Sequence, residues 1–382
     1  MRGHALRRRL LAASILVVCA HGCRDRALDL KKNHRATSNV SQLDRDRALA
    51  AARVWLPPAV PVSAFDFSVN PPGADGFPAD ADVACTFTPK VAGGATPKFY
   101  CTLPEGDTIK VKYGEPNGEI PSEIAATRLL SALGFPTDRM YRVHSVRCLG
   151  CPPLPQQALQ CVKEGGPTVV CMQGASESRA ITFEHAAIER PFAGHKIEAA
   201  DDQGWSWYEL DKIDPARGGS TRAELDALRL MAVLLAHWDN KGANQRLVCP
   251  DGKERPDGSC AQPLAMIQDL GAAFGPKRMD FPNWRQLPVW VDPHTCAVSM
   301  STLPFRGATF KDRRISEAGR QFALKLLRPL SAAQLNSLFE AAGVTSFSHV
   351  LTEAHQPQAW TDAFLAKVNA IATAGPCPAV PQ

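Results

Sequence analysis

The run His237-Trp238-Asp239-Asn240-Lys241-Gly242-Ala243-Asn244 sets a carboxylate, an ammonium and an amide within one short stretch, and a second acidic loop, Asp269-Leu270-Gly271, follows it. A hydroxyl that attacks a terminal phosphate needs a carboxylate to orient it and take its proton, and Asp239 is spaced for that role. Magnesium takes hard oxygen ligands and keeps several waters, so an amide oxygen from Asn244 and a carboxylate from Asp269 suffice beside the phosphates of a nucleotide. Lys241 would offset charge on the group in transfer. These residue types in this order point to phosphoryl transfer.

Such a site needs elements that bring distant side chains together. Thr221 and Glu224 have capping-box spacing, and Leu225, Leu228, Ala232 and Leu235 share one helical face, so a helix delivers His237 and Asp239 at its C-terminal end. Segments 245–249 and 264–268 read as an antiparallel pair, which puts Asn244 and Asp269 at the same open end. Upstream, strands over 83–89 and 98–103 flank Gly93-Gly94, and a hairpin centred there sets Cys85 and Cys101 face to face. A third strand, 108–113, carries Lys110 and Lys112 on one face. A helix over 121–133 follows, with Pro121 and Glu123 in its first turn and Gly134 at its end. One strand is expected across 140–147 and another across 180–190. Trp205 and Trp207 read as packing residues. The loop-rich stretch 281–310, with Trp284 and Trp290, is a candidate substrate-facing surface, and helices are expected at 317–327, 332–342 (capped by Ser331) and 358–372.

Strand, Gly-bearing turn, strand, Lys strand and Glu helix, followed by H-x-D-x-x-x-x-N and D-x-G, resemble the protein-kinase-like superfamily. The likeness is nearer its atypical branches, the HipA-like, phosphoinositide and secretory-pathway kinases, and runs from residue 83 to the C-terminus. It implies an α+β bilobal fold. A small antiparallel-sheet lobe with one helix would occupy 77–190, including a Cys-rich insertion, and a larger, mostly helical lobe 191–382. It further implies that Lys112, held by Glu123, contacts the α- and β-phosphates of ATP, with Lys110 as the alternative. Gly93 and Gly94 would cover the nucleotide, Asp239 and Lys241 would be catalytic, and Asn244 and Asp269 would hold Mg2+ or Mn2+. The activity so implied is transfer of a γ-phosphate to a hydroxyl on an unknown protein or small-molecule acceptor. No G-x-G-x-x-G stands in the hairpin and no A-P-E follows the D-x-G. A catalytically silent pseudokinase or a cystine-stabilised binding lipoprotein is the alternative, since ATP is scarce outside the cytoplasm.

A chain of 382 residues with 45% hydrophobic content can bury a large core divided between two lobes. Its formal charge of +5 is modest, and part of it lies in Arg2, Arg7, Arg8 and Arg9, so no nucleic-acid partner is indicated. The basic head, the apolar run 10–20 and Gly22 before Cys23 have the layout of a signal peptide over 1–22. A lipid on Cys23 would then attach the chain to a membrane, as an outer-membrane or periplasmic lipoprotein. Ala20, where a lipobox has Leu, leaves ordinary cleavage as the alternative. Residues 23–76, rich in Pro and Ala, read as a lipid-anchored tether with a short helix over 43–54. Of twelve cysteines, setting aside Cys19 and Cys23 leaves an even number in a compartment where disulfides persist. Expected pairs are Cys85 with Cys101, Cys249 with Cys260 and Cys296 with Cys377. Cys148, Cys151, Cys161 and Cys171 form either two nested disulfides or a four-thiolate zinc site.

Overall fold

Alternation of buried and polar residues builds the first sheet of the molecule, seen here in a computed structural model that describes residues 40–379 except 95, 115–116, 201–203, 305–306 and 347–351. The signal sequence, Cys23 and residues 23–39 of the expected tether lie outside the described residues. After an opening helix α1 (Gln42–Ala50), strands β1 (Asp82–Thr88), β2 (Lys98–Thr102) and β3 (Thr108–Lys112) form a meander. Phe99, Ile109 and Val111 are buried on one of its faces. Lys110 and Lys112 occupy the other face, Lys112 against helix α2 (Glu119–Ala132), because strand side chains alternate. Phe87, not Cys85, lies opposite Cys101, so the Cys85–Cys101 disulfide runs diagonally across the pair.

Each of the two strands expected over 140–147 and 180–190 is broken in two. They are β4 (Arg139–Arg142) and β5 (Ser145–Leu149), then β6 (Ala180–Glu184) and β7 (Ala187–Arg190). Between β5 and β6 lie the Cys-rich helices α3 (Pro155–Lys163) and α4 (Thr168–Cys171). One register runs through both halves of this long hairpin, since Arg142 pairs with Ala187 and Ser145 with Glu184. The break is a bend: His185 has a φ of 51° and donates its backbone N–H to the His144 carbonyl. Bent there, the hairpin borders β3 through β7 and β1 through β5, giving the order β4-β7-β3-β2-β1-β5-β6. The β1–β5 pair is parallel, and the other neighbours in this sheet are antiparallel.

Beyond this sheet come β8 (Gly194–Lys196), helix α5 (Arg222–Leu234), β9 (Gln245–Pro250) and β10 (Leu264–Ile267), the strands pairing in the order β10-β9-β8. Helices α6 (Phe281–Gln286), α7 (Glu317–Leu327), α8 (Ala332–Ala342) and α9 (Pro357–Thr373) complete the chain. The expected caps are present: Thr221 and Glu224 exchange hydrogen bonds at the start of α5, as do Ser331 and Gln334 at α8. Trp284 and Trp290 do not face a substrate surface. Both are buried, Trp284 stacked on Trp360 at 5.3 Å, and their indole N–H groups donate to the Leu234 and Ala370 carbonyls. An indole paired in this way packs at no polar penalty. Trp205 and Trp207 are buried as expected.

The described part of the expected tether is not a tether. Leu49, Ala52, Val54, Val62 and Phe67 belong to the main hydrophobic core. Arg53 exchanges backbone hydrogen bonds with Pro263 and Ala265, Trp55 donates to the Leu133 carbonyl, and Gln334 donates to the carbonyls of Val62 and Phe65. Gly134 has a φ of 92°, and a Cβ there would overlap the Leu56 carbonyl oxygen, so the crossing of this strap over α2 requires glycine. Pro and Ala gave the segment a linker's composition, yet its apolar residues, irregularly spaced, are enough to bury it.

Among the described residues five disulfides close the fold: the three expected pairs, and Cys148–Cys151 and Cys161–Cys171, consecutive instead of nested. All four thiols of the Cys-rich insertion are therefore engaged, and the zinc reading falls. So many disulfides belong to an oxidising extracellular or periplasmic setting. No helix among the described residues is long and apolar enough to cross a membrane. The Cys296–Cys377 bridge spans a sequence separation of 81. Chain-entropy arguments give such a loop about 4–5 kcal/mol. Replacing both cysteines with serine should lower unfolding free energy by several kcal/mol in denaturant titrations. A loss under about 1 kcal/mol would mean that the C-terminal helix is held by packing alone.

Candidate active site

Helix α5 ends at a left-handed residue, Ala236 (φ 52°), where Ala236 and His237 donate backbone N–H groups to Val233 and Ala232. This turn sends the chain into the loop that bears Asp239. His237 is fully buried and its imidazole is pushed down to about 4 by burial, opposed by the nearby charges of Asp269 and Asp239. Both aspartates therefore act on one ring. The two loops are laced together by backbone bonds, Trp238 to Ala272 at 3.1 Å and Phe274 to Leu235 at 2.6 Å, and the Trp238 indole donates to the Gly275 carbonyl at 3.1 Å. The β9–β10 pair has the expected register, and Gln268 donates to the Asn244 carbonyl at 3.0 Å, so Asn244 and Asp269 leave the same end of that pair.

Within the first loop, Lys241 Nζ lies 2.9 Å from both carboxylate oxygens of Asp239, and Asn244 Nδ2 donates to the Asp239 carbonyl at 2.6 Å. Asp239 is only part-exposed, while Asp269 is held at a φ of 55° with its carboxylate 39% exposed. Backbone held in the left-handed region by a non-glycine residue is a feature of sites where a side chain must be aimed.

The second half of the site gathers on Lys112. Its ammonium is fully buried and contacts Glu123, Glu119 at 3.0 Å, Glu189 at 3.6 Å and Asp269 at 3.8 Å. Lys112 and Glu123, paired here as expected, thus share one cluster with Asp269. Lys110 pairs with Glu189, and Lys98 lies 3.4 Å from Glu119. Three lysines and Arg278, which lies 3.6 Å from Glu119, face four carboxylates. Burial pushes Glu123 up to about 8 against the pull of Lys112, with Glu189, Asp269 and Glu119 adding to the rise. Burial also raises Asp269, but Lys112 and Lys98 outweigh it and hold that carboxyl below its usual range. Glu119, Glu123 and Asp269 each bring an oxygen within 4.8 Å of the others, a hard-oxygen set that suits a divalent cation.

Sequence reasoning missed Glu119, Lys98 and Glu189. The helix opens two residues before its expected start, and Glu119 accepts from Thr96 Oγ1 and approaches Arg278 at 3.6 Å besides contacting the two lysines. Asn117, whose side chain accepts from the Glu119 N–H, was the local signal for the earlier start. Gly271 fits against this residue: a Cβ there would overlap Glu119 Cγ. The Gly93-Gly94 hairpin does not stand alone over the cluster either. Gln156 of α3 donates to the Gly94 carbonyl at 2.8 Å and accepts from Lys98 N at 3.2 Å, so the Cys-rich insertion braces the loop expected to cover a nucleotide.

No protein-family model and no curated protein matches the chain. Among solved structures it is similar to the Helicobacter pylori proinflammatory kinase CtkA, at 11% identity over 77% of this chain and 97% of that one, with a TM-score of 0.43. It is also similar to the Golgi casein kinase with Mn/ADP bound, at 14% identity over 78% of this chain and 74% of that one (TM-score 0.34). A second Golgi casein kinase structure aligns at 14% identity over 78% and 76% of the two chains (TM-score 0.33). At these scores the likeness adds no weight to the chemistry, which rests on the side chains themselves.

Removing the cation from this cluster should be far worse than neutralising one acid. Lys112→Met strands buried carboxylates and should lower stability by about 3–5 kcal/mol, whereas Glu123→Gln keeps a hydrogen-bonding group of the same shape. The pH dependence separates them further. Glu123 has a folded-state value of about 8 against 4.5 for the free side chain. Its contribution is therefore full below pH 4.5 and is lost as pH rises through 8. The stability advantage of wild type over Glu123→Gln should shrink across that window in denaturant titrations; an advantage that grows with pH would contradict the assignment.

Proposed function

We propose that the chain is a kinase that transfers the γ-phosphate of ATP to a hydroxyl, with Mg2+ or Mn2+ as cofactor. One observation carries the reading: Lys112 and Glu123 from the sheet and its helix share a single polar cluster with Asp269, whose loop is bonded to the one bearing Asp239. Asn244 and Asp269 would hold the cation, with Glu119 and Glu123 close enough to contribute oxygens. A divalent cation there supplies charge neutralisation on the phosphoryl oxygens. Lys112 would bind the α- and β-phosphates and is held ready by Glu123. Lys112, and not Lys110, contacts both Glu123 and Asp269, which favours Lys112 for this role. The Gly93-Gly94 hairpin, braced by Gln156, would shield the phosphates from water. Asp239 would orient the acceptor hydroxyl and receive its proton, and Lys241, paired with Asp239 in the described geometry, would turn to the transferring group. The acceptor is a protein or small molecule with a free hydroxyl. We further propose that residues 1–22 are a signal peptide and that a lipid on Cys23 attaches the enzyme to a membrane, in keeping with its disulfides.

The two aspartates should fail differently. Purified protein with Mg2+ or Mn2+ and γ-labelled ATP should label itself or an added acceptor. Asp239→Ala should lower this transfer by about 10²–10⁴-fold with nucleotide affinity nearly unchanged, because a base acts in the transition state. Asp269→Ala should weaken metal-dependent nucleotide binding itself, read by titration calorimetry. Equal losses of affinity in both variants would remove the proposed division of roles.

A further inference from the structure

On another side of α2 from the acidic cluster, a cavity of about 370 Å3 opens between the strap, the β4–β5 corner and the end of α8. Arg128, on α2, lines it and is only 4% exposed. Its Nη1 donates to the Phe67 carbonyl at 3.2 Å and its Nη2 to Asn70 Oδ1, both neutral acceptors, while its Nε has no partner. Among the described residues no carboxylate pairs with it. Arg142 enters the same cavity from β4 and donates to Ser346 Oγ at 3.0 Å, and His185 and His144, the latter paired with Asp82 at 2.7 Å, also line it. The one carboxylate on the described lining, Asp80, is exposed at the rim.

Burial, reinforced by the charge of Arg142, pushes the Arg128 guanidinium down to about 10, still far too high for it to lose its proton at neutral pH. A buried cation that can neither deprotonate nor find an acid is costly, and the usual compensation is an anion with matching acceptors. A monocarboxylate would satisfy one guanidinium fork. Two guanidiniums that reach one cavity from different elements call for an acceptor that points oxygens in more than one direction. We propose that this cavity binds a phosphate-like tetrahedral oxyanion, with Arg128 as its buried anchor and Arg142 as the second guanidinium. Arg128 lies on the helix that carries Glu119 and Glu123, so an anion there would fix the far half of that helix. This site stands independently of the kinase reading.

The test is thermal unfolding and titration calorimetry of the full chain with inorganic phosphate, sulfate or acetate at matched ionic strength. Phosphate and sulfate should raise Tm with concentration, well beyond acetate. Arg128→Met should weaken phosphate binding roughly tenfold or more and abolish the rise. Without phosphate its Tm should equal or exceed that of wild type, since an uncompensated charge has gone. Ala341→Glu, which directs a carboxylate into the cavity from α8, should also abolish the rise and decides the matter should Arg128→Met fail to fold. Absence of any rise in wild type, an equal rise with acetate, or a rise that persists in Ala341→Glu would each overturn the proposal.

Discussion

One ammonium group, at Lys112, ties together pieces of the chain that lie far apart in sequence. It comes from the central meander, two of its acids come from α2, another from the bent hairpin, and the last from the loop after β10. Each piece has its own backbone bonds, but none can place a fully buried charge without the others. The cluster therefore fixes the relative position of the sheet, the helix and the Asp269 loop more tightly than apolar contact alone would, since apolar surfaces slide at little expense and a desolvated ion group does not.

Such a cluster is poor value as a stabiliser. Buried ion pairs replaced by well-packed apolar residues often leave a protein equally or more stable. Burial raises Glu123 to about 8 even beside Lys112, and the neighbouring carboxylates add to that rise. An arrangement that disfavours its own ground state makes physical sense if another charge completes it. The carboxylates of Glu119 and Glu123 beside the part-exposed Asp269 are the place where a divalent ion would do so. Arg128 presents the mirror case, an uncompensated cation on the same helix.

What the chain reveals before folding is whatever depends on near neighbours. The neighbouring placement of the Asp239–Asn244 loop and the Asp269 loop was legible because fixed spacing on a loop and a hairpin end sets them side by side. The capping boxes at Thr221 and Ser331 and the Cys85–Cys101 and Cys249–Cys260 disulfides were legible for the same reason, whereas Cys296–Cys377 followed only as the pair left over. Glu119, Lys98 and Glu189 were not, because each looks like surface charge until the β3–β7 pairing and the closing of α2 bury it. The bend at His144 and His185 carries no glycine or proline to announce it. The strap was misjudged because composition reports on average solubility, while burial depends on which few residues meet a groove. Trp284 and Trp290 were misjudged because loop-rich sequence is a sign of exposure only when its aromatic residues lack a core to enter.

The strap also covers something that would otherwise lie open. Strand β10 ends its three-stranded sheet, and its outer rim is occupied by Arg53, paired beside Leu264, and by Thr137 beside Ile267. An uncovered rim of this kind offers unpaired N–H and C=O groups to any passing strand. A shortened polypeptide beginning at residue 77, where composition would suggest cutting, would bare the Leu264 end of that rim, in the strand that leads to Asp269, and its first failure would be self-association in solution instead of simple loss of activity.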